Sequence, residues 1–203
     1  MKIALLGSTG RVGSIVYENA RHNHSIHRLI RNPARETTSD DSIIKGDVLN
    51  ERNVHSIIAG CDAVISCLNT DNEDVLTRSM PLILKAMRVH GVPRIITCGT
   101  AGILNSSTEP HLYRFQSKES KRRRTAAAED HLRSFLMLRA SGLDWTVVCP
   151  TYLPDGGRLG DYRLQKDALP DGGKSISIYD TADFIYTELI DPHFAGSRVG
   201  ISY

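Results

Sequence analysis

A chain of 203 residues, 40% hydrophobic and 24% charged, suits one large globular domain or one domain with a small lobe. Its formal net charge of +2 is spread along the chain, which argues against nucleic acid as a main partner and leaves small anionic ligands open. Cys61, Cys67, Cys98 and Cys149 are far apart and form no C-x-x-C pair, so neither a metal site nor a disulfide framework is expected, and buried free thiols in a reducing compartment explain them.

The chain enters its first expected strand directly, and no apolar run approaches the ~20 residues that cross a bilayer. The expectation is a soluble, cytoplasmic protein with no membrane partner. Residues 2–6 form an apolar run without alternation, too short for a helix; beyond Gly10, Val12, Ile15 and Val16 return at helical spacing. Between strand and helix, Gly7, Gly10 and Gly13 give the spacing G-x-x-G-x-x-G, a variant of the dinucleotide-binding loop. The first glycine permits the turn, the second lets a pyrophosphate approach the backbone, and the third lets the helix pack close to the strand. The helix N-terminus adds free N–H groups and partial positive charge.

The helix is expected to end near His22, and residues 26–31 read as a second strand stopped by Asn32-Pro33. NAD sites place an acid at this strand's end for the ribose 2′-hydroxyl, whereas NADP sites place arginine for a 2′-phosphate. Arg31 and Arg35 stand here with no acid before Glu36, so NADP is the expected cofactor, and Arg11 can add to the same pocket. Residues 42–46 form a third strand ending at Asp47-Val48. Asp47 either accepts from the adenine amino group or caps the helix that begins near Asn50.

A helix over 51–58 and a strand over 61–67 follow, with Leu68 and Asn69 where an open parallel sheet places ligands. A helix over 73–90, closed by Gly91 and Pro93, leads to a strand over 94–98. Strands alternating with helices predict an α/β, doubly wound parallel sheet with right-handed crossovers. From the turn at 97–102 to about Ser120 periodicity is lost, the length of a lid or binding segment. The basic run Lys121-Arg122-Arg123-Arg124 reads first as a solvated helix face and second as a closure over cofactor phosphates.

A helix over 125–140 is expected to bury Leu132, Phe135, Leu136, Met137 and Leu138, with His131 a surface or packing histidine. The sixth strand, 144–149, is stopped by Pro150, leaving Thr151-Tyr152-Leu153-Pro154 on the ligand edge. Glycine- and aspartate-rich turns, a helix over 181–190 and a strand over 198–202 then predict a small substrate-side lobe, 151–203, packed on a nucleotide-binding core, 1–150.

The glycine loop, Arg31, Gly46-Asp47-Val48, Glu129-Asp130-His131-Leu132-Arg133, Ser141 to Thr146, Pro150, Asp171-Gly172-Gly173 and Ile178-Tyr179-Asp180 together resemble the atypical short-chain dehydrogenase/reductases. The nearest resemblance is to their NAD(P)H-binding, NmrA-like group, which contains the biliverdin and flavin reductases of type B. That resemblance implies a Rossmann-type fold, NADPH along the carboxyl edge of the sheet, and hydride transfer to a flavin, tetrapyrrole or quinone. It also implies that Gly7, Thr9, Gly10, Arg11 and Val12 surround the pyrophosphate and that Arg31 meets the 2′-phosphate. Cys67, Leu68, Asn69 and Pro150 complete the expected cofactor contacts, beside Gly13, Arg35, Asp47 and Val48. Thr100 matches a serine of the relatives and Tyr152 a histidine, and both are expected to orient nicotinamide and acceptor.

The Tyr-x-x-x-Lys pair of ordinary short-chain dehydrogenases is missing, since Ser117 follows Tyr113 by four residues and Lys118 is one place too far. Without that general acid, carbonyl reduction is disfavoured, while a flavin or quinone can take its proton from solvent. The alternative is an NADP-binding redox sensor of the NmrA-like type that acts without turnover. A monomer or a homodimer is expected.

Overall fold

The computed structural model describes residues 1–33, 42–70, 74–120 and 124–203. Among these, eight strands form a single sheet in the order β3-β2-β1-β4-β5-β6-β8-β7. β1 (Lys2–Leu6), β2 (Ser25–Ile30) and β3 (Ser42–Lys45) step one way, and β4 (Ala63–Ser66), β5 (Arg94–Cys98) and β6 (Asp144–Pro150) step the other. β1 pairs in parallel with both β2 and β4, so the direction of winding reverses between β1 and β4. Open sheets of this kind hold ligands outside the carboxyl ends of the strands at that reversal.

The central strands β1 and β4 are continuous apolar runs because both faces are covered. Ile3 and Leu5 pack towards α1 (Arg11–Ala20) and α5 (Ile178–Ile190), through Val16, Tyr17, Ala182 and Ile185. Ala4 and Leu6 pack on the opposite face towards α2 (Glu51–Ile58), α3 (Val75–His90) and α4 (Ala126–Arg139), through Val54, Ile57, Ile83, Met87 and Phe135. Successive residues of one short strand therefore serve two separate cores.

Several helix boundaries have identifiable causes. Asn50 accepts a hydrogen bond from Asn53 N at 3.2 Å and caps α2, so the capping role considered for Asp47 belongs to Asn50. Gly91, at φ 67°, ends α3 as expected. α5 begins three residues earlier than the spacing predicts, because the Ser177 side chain accepts from Asp180 N and starts the helix at Ile178. On α4, Phe135 and Leu138 reach the core, but Leu136 points off that face and is exposed, contrary to expectation. His131 is packed inward, and burial pushes its pKa down to about 4 against the opposing pull of Asp130.

Residues beyond 150 join the same sheet. β8 (Ser197–Ser202) lies parallel to β6, and β7 (Arg163–Lys166) runs antiparallel on the outer edge of β8. α5 packs along α1, where Asn19 donates to Asp183 at 2.7 Å. The C-terminal segment is thus continuous with the sheet of residues 1–150.

Candidate functional site

The turn after β1 is built by absence of side chains. Gly7 adopts φ +79°, and a Cβ there would stand 2.5 Å from Cys67 O. A Cβ on Gly13 would stand 2.1 Å from Gly7 O, so the first turn of α1 lies directly on the loop that precedes it. Gly10 N closes the turn by donating to Gly7 O at 3.0 Å. The N-terminus of α1 carries no side-chain cap and no acidic residue in its first turn, which leaves its N–H groups and positive end open to an anion. Ser8, only 3% exposed, has a buried Oγ with no hydrogen-bond partner among the described residues. A buried hydroxyl left unsatisfied beside an open helix N-terminus fits a ligand with acceptor oxygens, such as a pyrophosphate.

From this loop a cleft of about 1200 Å³ runs across the ends of β1, β2, β3 and β4. Gly7, Thr9, Gly10, Arg31, Asp47, Val48, Cys67, Leu68 and Asn69 all line it. Asp47 Oδ1 accepts from Leu49 N at 2.8 Å, and its backbone N–H donates to Asn53, so the carboxylate is held at the wall. Arg31 is exposed on the same wall. Val12 and Gly13 are buried behind the loop rather than in its lining, and Pro150 lies in a different cavity. Arg11 is absent from the lining and does not join Arg31: its Nη2 donates to Leu153 O at 2.8 Å and to Asp155 Oδ1 at 2.7 Å. Arg35 lies outside the described residues. Among the lining residues not foreseen from the sequence are Ser8 and Arg28, the latter fully buried with its guanidinium 4.0 Å from the Tyr17 ring centroid.

A second pocket, of about 220 Å³, opens at the ends of β5 and β6 and brings Thr100, Pro150 and Tyr152 together. Thr100 Oγ1 accepts from Gly102 N at 3.3 Å, which fixes the turn after β5. Tyr152 is 67% exposed, and its backbone C=O accepts from Ile176 N. Thr151, which the sequence puts on the ligand edge without a role of its own, has its Oγ1 buried with no hydrogen-bond partner among the described residues.

The segment 104–120 forms one wall and is organised by Glu119. Oε1 accepts from Ser106 Oγ at 2.6 Å and Thr108 N at 3.0 Å, and Oε2 accepts from Arg114 Nε at 2.9 Å. Burial alone would raise the carboxyl pKa, but these hydrogen bonds outweigh it and hold Glu119 far below the usual carboxylate range.

Burial pushes the Cys98 thiol up to about 12 and the thiols of Cys67 and Cys149 well above their ordinary range, so at neutral pH these are packing groups and not nucleophiles. Tyr113 lies outside the linings of both cavities, with the Arg198 guanidinium 5.5 Å from its ring centroid. Among the described residues no helix is long and apolar enough to cross a membrane.

The chain is similar over its full length to several solved structures. A proposed epimerase of Bacteroides thetaiotaomicron shares 28% identity at a TM-score of 0.86, covering 100% of this chain and 96% of that one. A proposed exported protein of Burkholderia pseudomallei shares 26% identity at a TM-score of 0.86, covering 100% of both chains. A proposed NADH-flavin reductase of Streptococcus pneumoniae shares 24% identity at a TM-score of 0.85, covering 100% and 99%, a likeness of fold. Residues 7–192 match the NAD(P)H-binding family from glycine loop to the end of α5. With that span, the open helix end and the cleft at the winding reversal, the chain belongs to the NAD(P)H-binding family.

Proposed function

We propose that the protein is an NADPH-dependent reductase of a flat conjugated acceptor: a flavin, a biliverdin-like tetrapyrrole or a quinone. The observation that carries this reading is the placement of two cavities on one carboxyl edge, the long cleft over β1 to β4 and the smaller pocket over β5 and β6. When bound, NADPH supplies a hydride from its nicotinamide ring. Ser8, Gly10 and the open end of α1 hold the pyrophosphate, and Arg31 holds the 2′-phosphate. Thr100 and Tyr152 orient the reacting rings, and the 104–120 segment limits access of water.

The acceptor pocket offers Glu119 as its carboxylate, and its lowered pKa keeps it ionised and unable to donate a proton near neutrality. That favours acceptors that take a hydride and then collect a proton from solvent, over ketones that need a general acid.

The test is NADPH consumption with flavin, biliverdin and quinone acceptors, in wild type and Arg31→Ala. Loss of a 2′-phosphate contact should cost about 1.5–3 kcal/mol, so the preference for NADPH over NADH should fall about tenfold or more. An unchanged preference sinks the Arg31 assignment. The competing reading, an NADP-binding sensor, draws on the missing Tyr-x-x-x-Lys pair; tight NADP binding without turnover of any acceptor would favour it.

A further inference from the structure

The charges around the acceptor pocket do not cancel. Arg114, Arg124 and Lys174 face one carboxylate, Glu119. Glu119 is already engaged by Arg114 at 2.9 Å, so those two neutralise one another within the wall. Arg124 and Lys174 are exposed at the pocket, and among the described residues no carboxylate lies within ion-pair distance of either.

Uncompensated cations at a concave surface raise the local concentration of anions. The rest of the lining is uncharged and mixed: Phe115, Ala128, Pro150 and Leu169 supply apolar surface between the hydroxyl-bearing Thr100, Thr125 and Tyr152, and Thr151 adds a buried Oγ1 with no hydrogen-bond partner among the described residues. Apolar surface interleaved with hydroxyls, one of them buried and unpartnered, beneath a cationic rim matches a flat ring system with polar edge atoms and a charged tail.

We infer that the pocket selects acceptors bearing an anionic substituent, a carboxylate or a phosphate, which Arg124 and Lys174 hold at the rim while Thr151 meets a polar atom of the ring system. This deepens the reductase reading and rests on it. The ring binds by area; the anion decides which ring systems bind well.

The experiment measures binding by quenching of flavin fluorescence on the NADP-loaded protein. Two ligand pairs separate the sources of charge: FMN against riboflavin, which differ by a phosphate, and 10-carboxymethylflavin against lumiflavin, which differ by a carboxylate. The anionic member of at least one pair should bind about tenfold tighter or more, the scale of a charged hydrogen bond. A gain in one pair alone assigns the anion to that chemistry. The ratio should fall towards one in the double variant Arg124→Gln/Lys174→Gln and with rising salt. Each ratio is taken within one protein, so a general loss of folding cannot imitate it. Equal affinities in the wild type, or a ratio that survives the double variant, overturn the inference. NADPH oxidation measured on the same samples separates the two claims. Anion preference without turnover overturns the reductase reading alone, and turnover without anion preference overturns only the anion site.

Discussion

Ser8 places opposite demands on folding and on binding. Its buried Oγ has no partner among the described residues, and an unsatisfied buried hydroxyl costs about 1–3 kcal/mol. Ser8→Ala should therefore leave stability unchanged or raised, while NADP affinity falls about fivefold to tenfold through loss of one phosphate contact. Urea melts with and without NADP measure both; lowered stability with unchanged affinity would refute the assignment. Gly13→Ala should lower both. Its Cβ would meet the backbone oxygen of Gly7, which no rotamer change can relieve, so stability should fall by about 1–3 kcal/mol or more and the NADP-induced shift in melting temperature should disappear. The glycines were legible because only a missing side chain fits such approaches. Ser8 was not, since serine in a turn has many uses. Nor was the partner of Arg11, because Asp155 is 144 residues away and nothing local announces it.

Helix ends account for much of what sequence reading got right and wrong among the elements. α2 fell where expected because Asn50 and the apolar spacing of Val54, Ile57 and Ile58 agree. α3 starts without a side-chain cap of its own: Asp74 sits at φ 55°, and Asp130, reaching across from α4, accepts from Leu76 N at 3.1 Å and Thr77 N at 2.8 Å. A cap supplied by another helix leaves no local pattern. Burial alone would raise the Asp130 pKa, but hydrogen bonds from Thr77, Thr70 and the two backbone amides outweigh it and leave the pKa lowered. The folded value lies below the unfolded one, so its contribution is complete above the ordinary aspartate pKa of about 3.9 and is lost as pH falls through the folded value. Asp130→Asn should flatten acid unfolding below about pH 4, read by fluorescence at graded pH. On the opposite face, Arg94 on β5 donates to Glu188 of α5 at 3.1 Å, and the Glu188 side chain is 1% exposed. Glu188→Ala would leave Arg94 the more exposed Asp144, at 3.2 Å, as its carboxylate partner and would also orphan the amides of His193 and Phe194, so it should destabilise by about 3 kcal/mol, measurable as a lowered denaturation midpoint. The pairing joins residues 94 apart and could not be read from either segment alone.

At the scale of the molecule, the cleft and the pocket depend on the parallel strands β1 to β6 ending along one edge. Alternation of strands and helices was enough to foresee that edge. The insertion of β8 was not, because no short-range signal says that Ser197–Ser202 will lie beside β6 with β7 outside it. Ligand that fills the cleft should stabilise the whole sheet: at a hundredfold excess over its Kd, NADP should add about 2.7 kcal/mol, seen as a rise in melting temperature.

The place of β8 also bears on how the chain reaches its native state. Thr146 pairs with Ser197 and Val148 with Val199, so β6 gains its outer neighbour only after a long loop has closed. Until then Val147, Val148 and Cys149 present an uncharged, unpaired strand edge on which another copy of the chain can dock. Refolding yield should decline as protein concentration rises, and pulsed hydrogen exchange should find the amides of β8 protected after those of β1 and β4. The strand that extends the sheet beyond β6 is thereby the one whose late arrival governs competition between folding and aggregation.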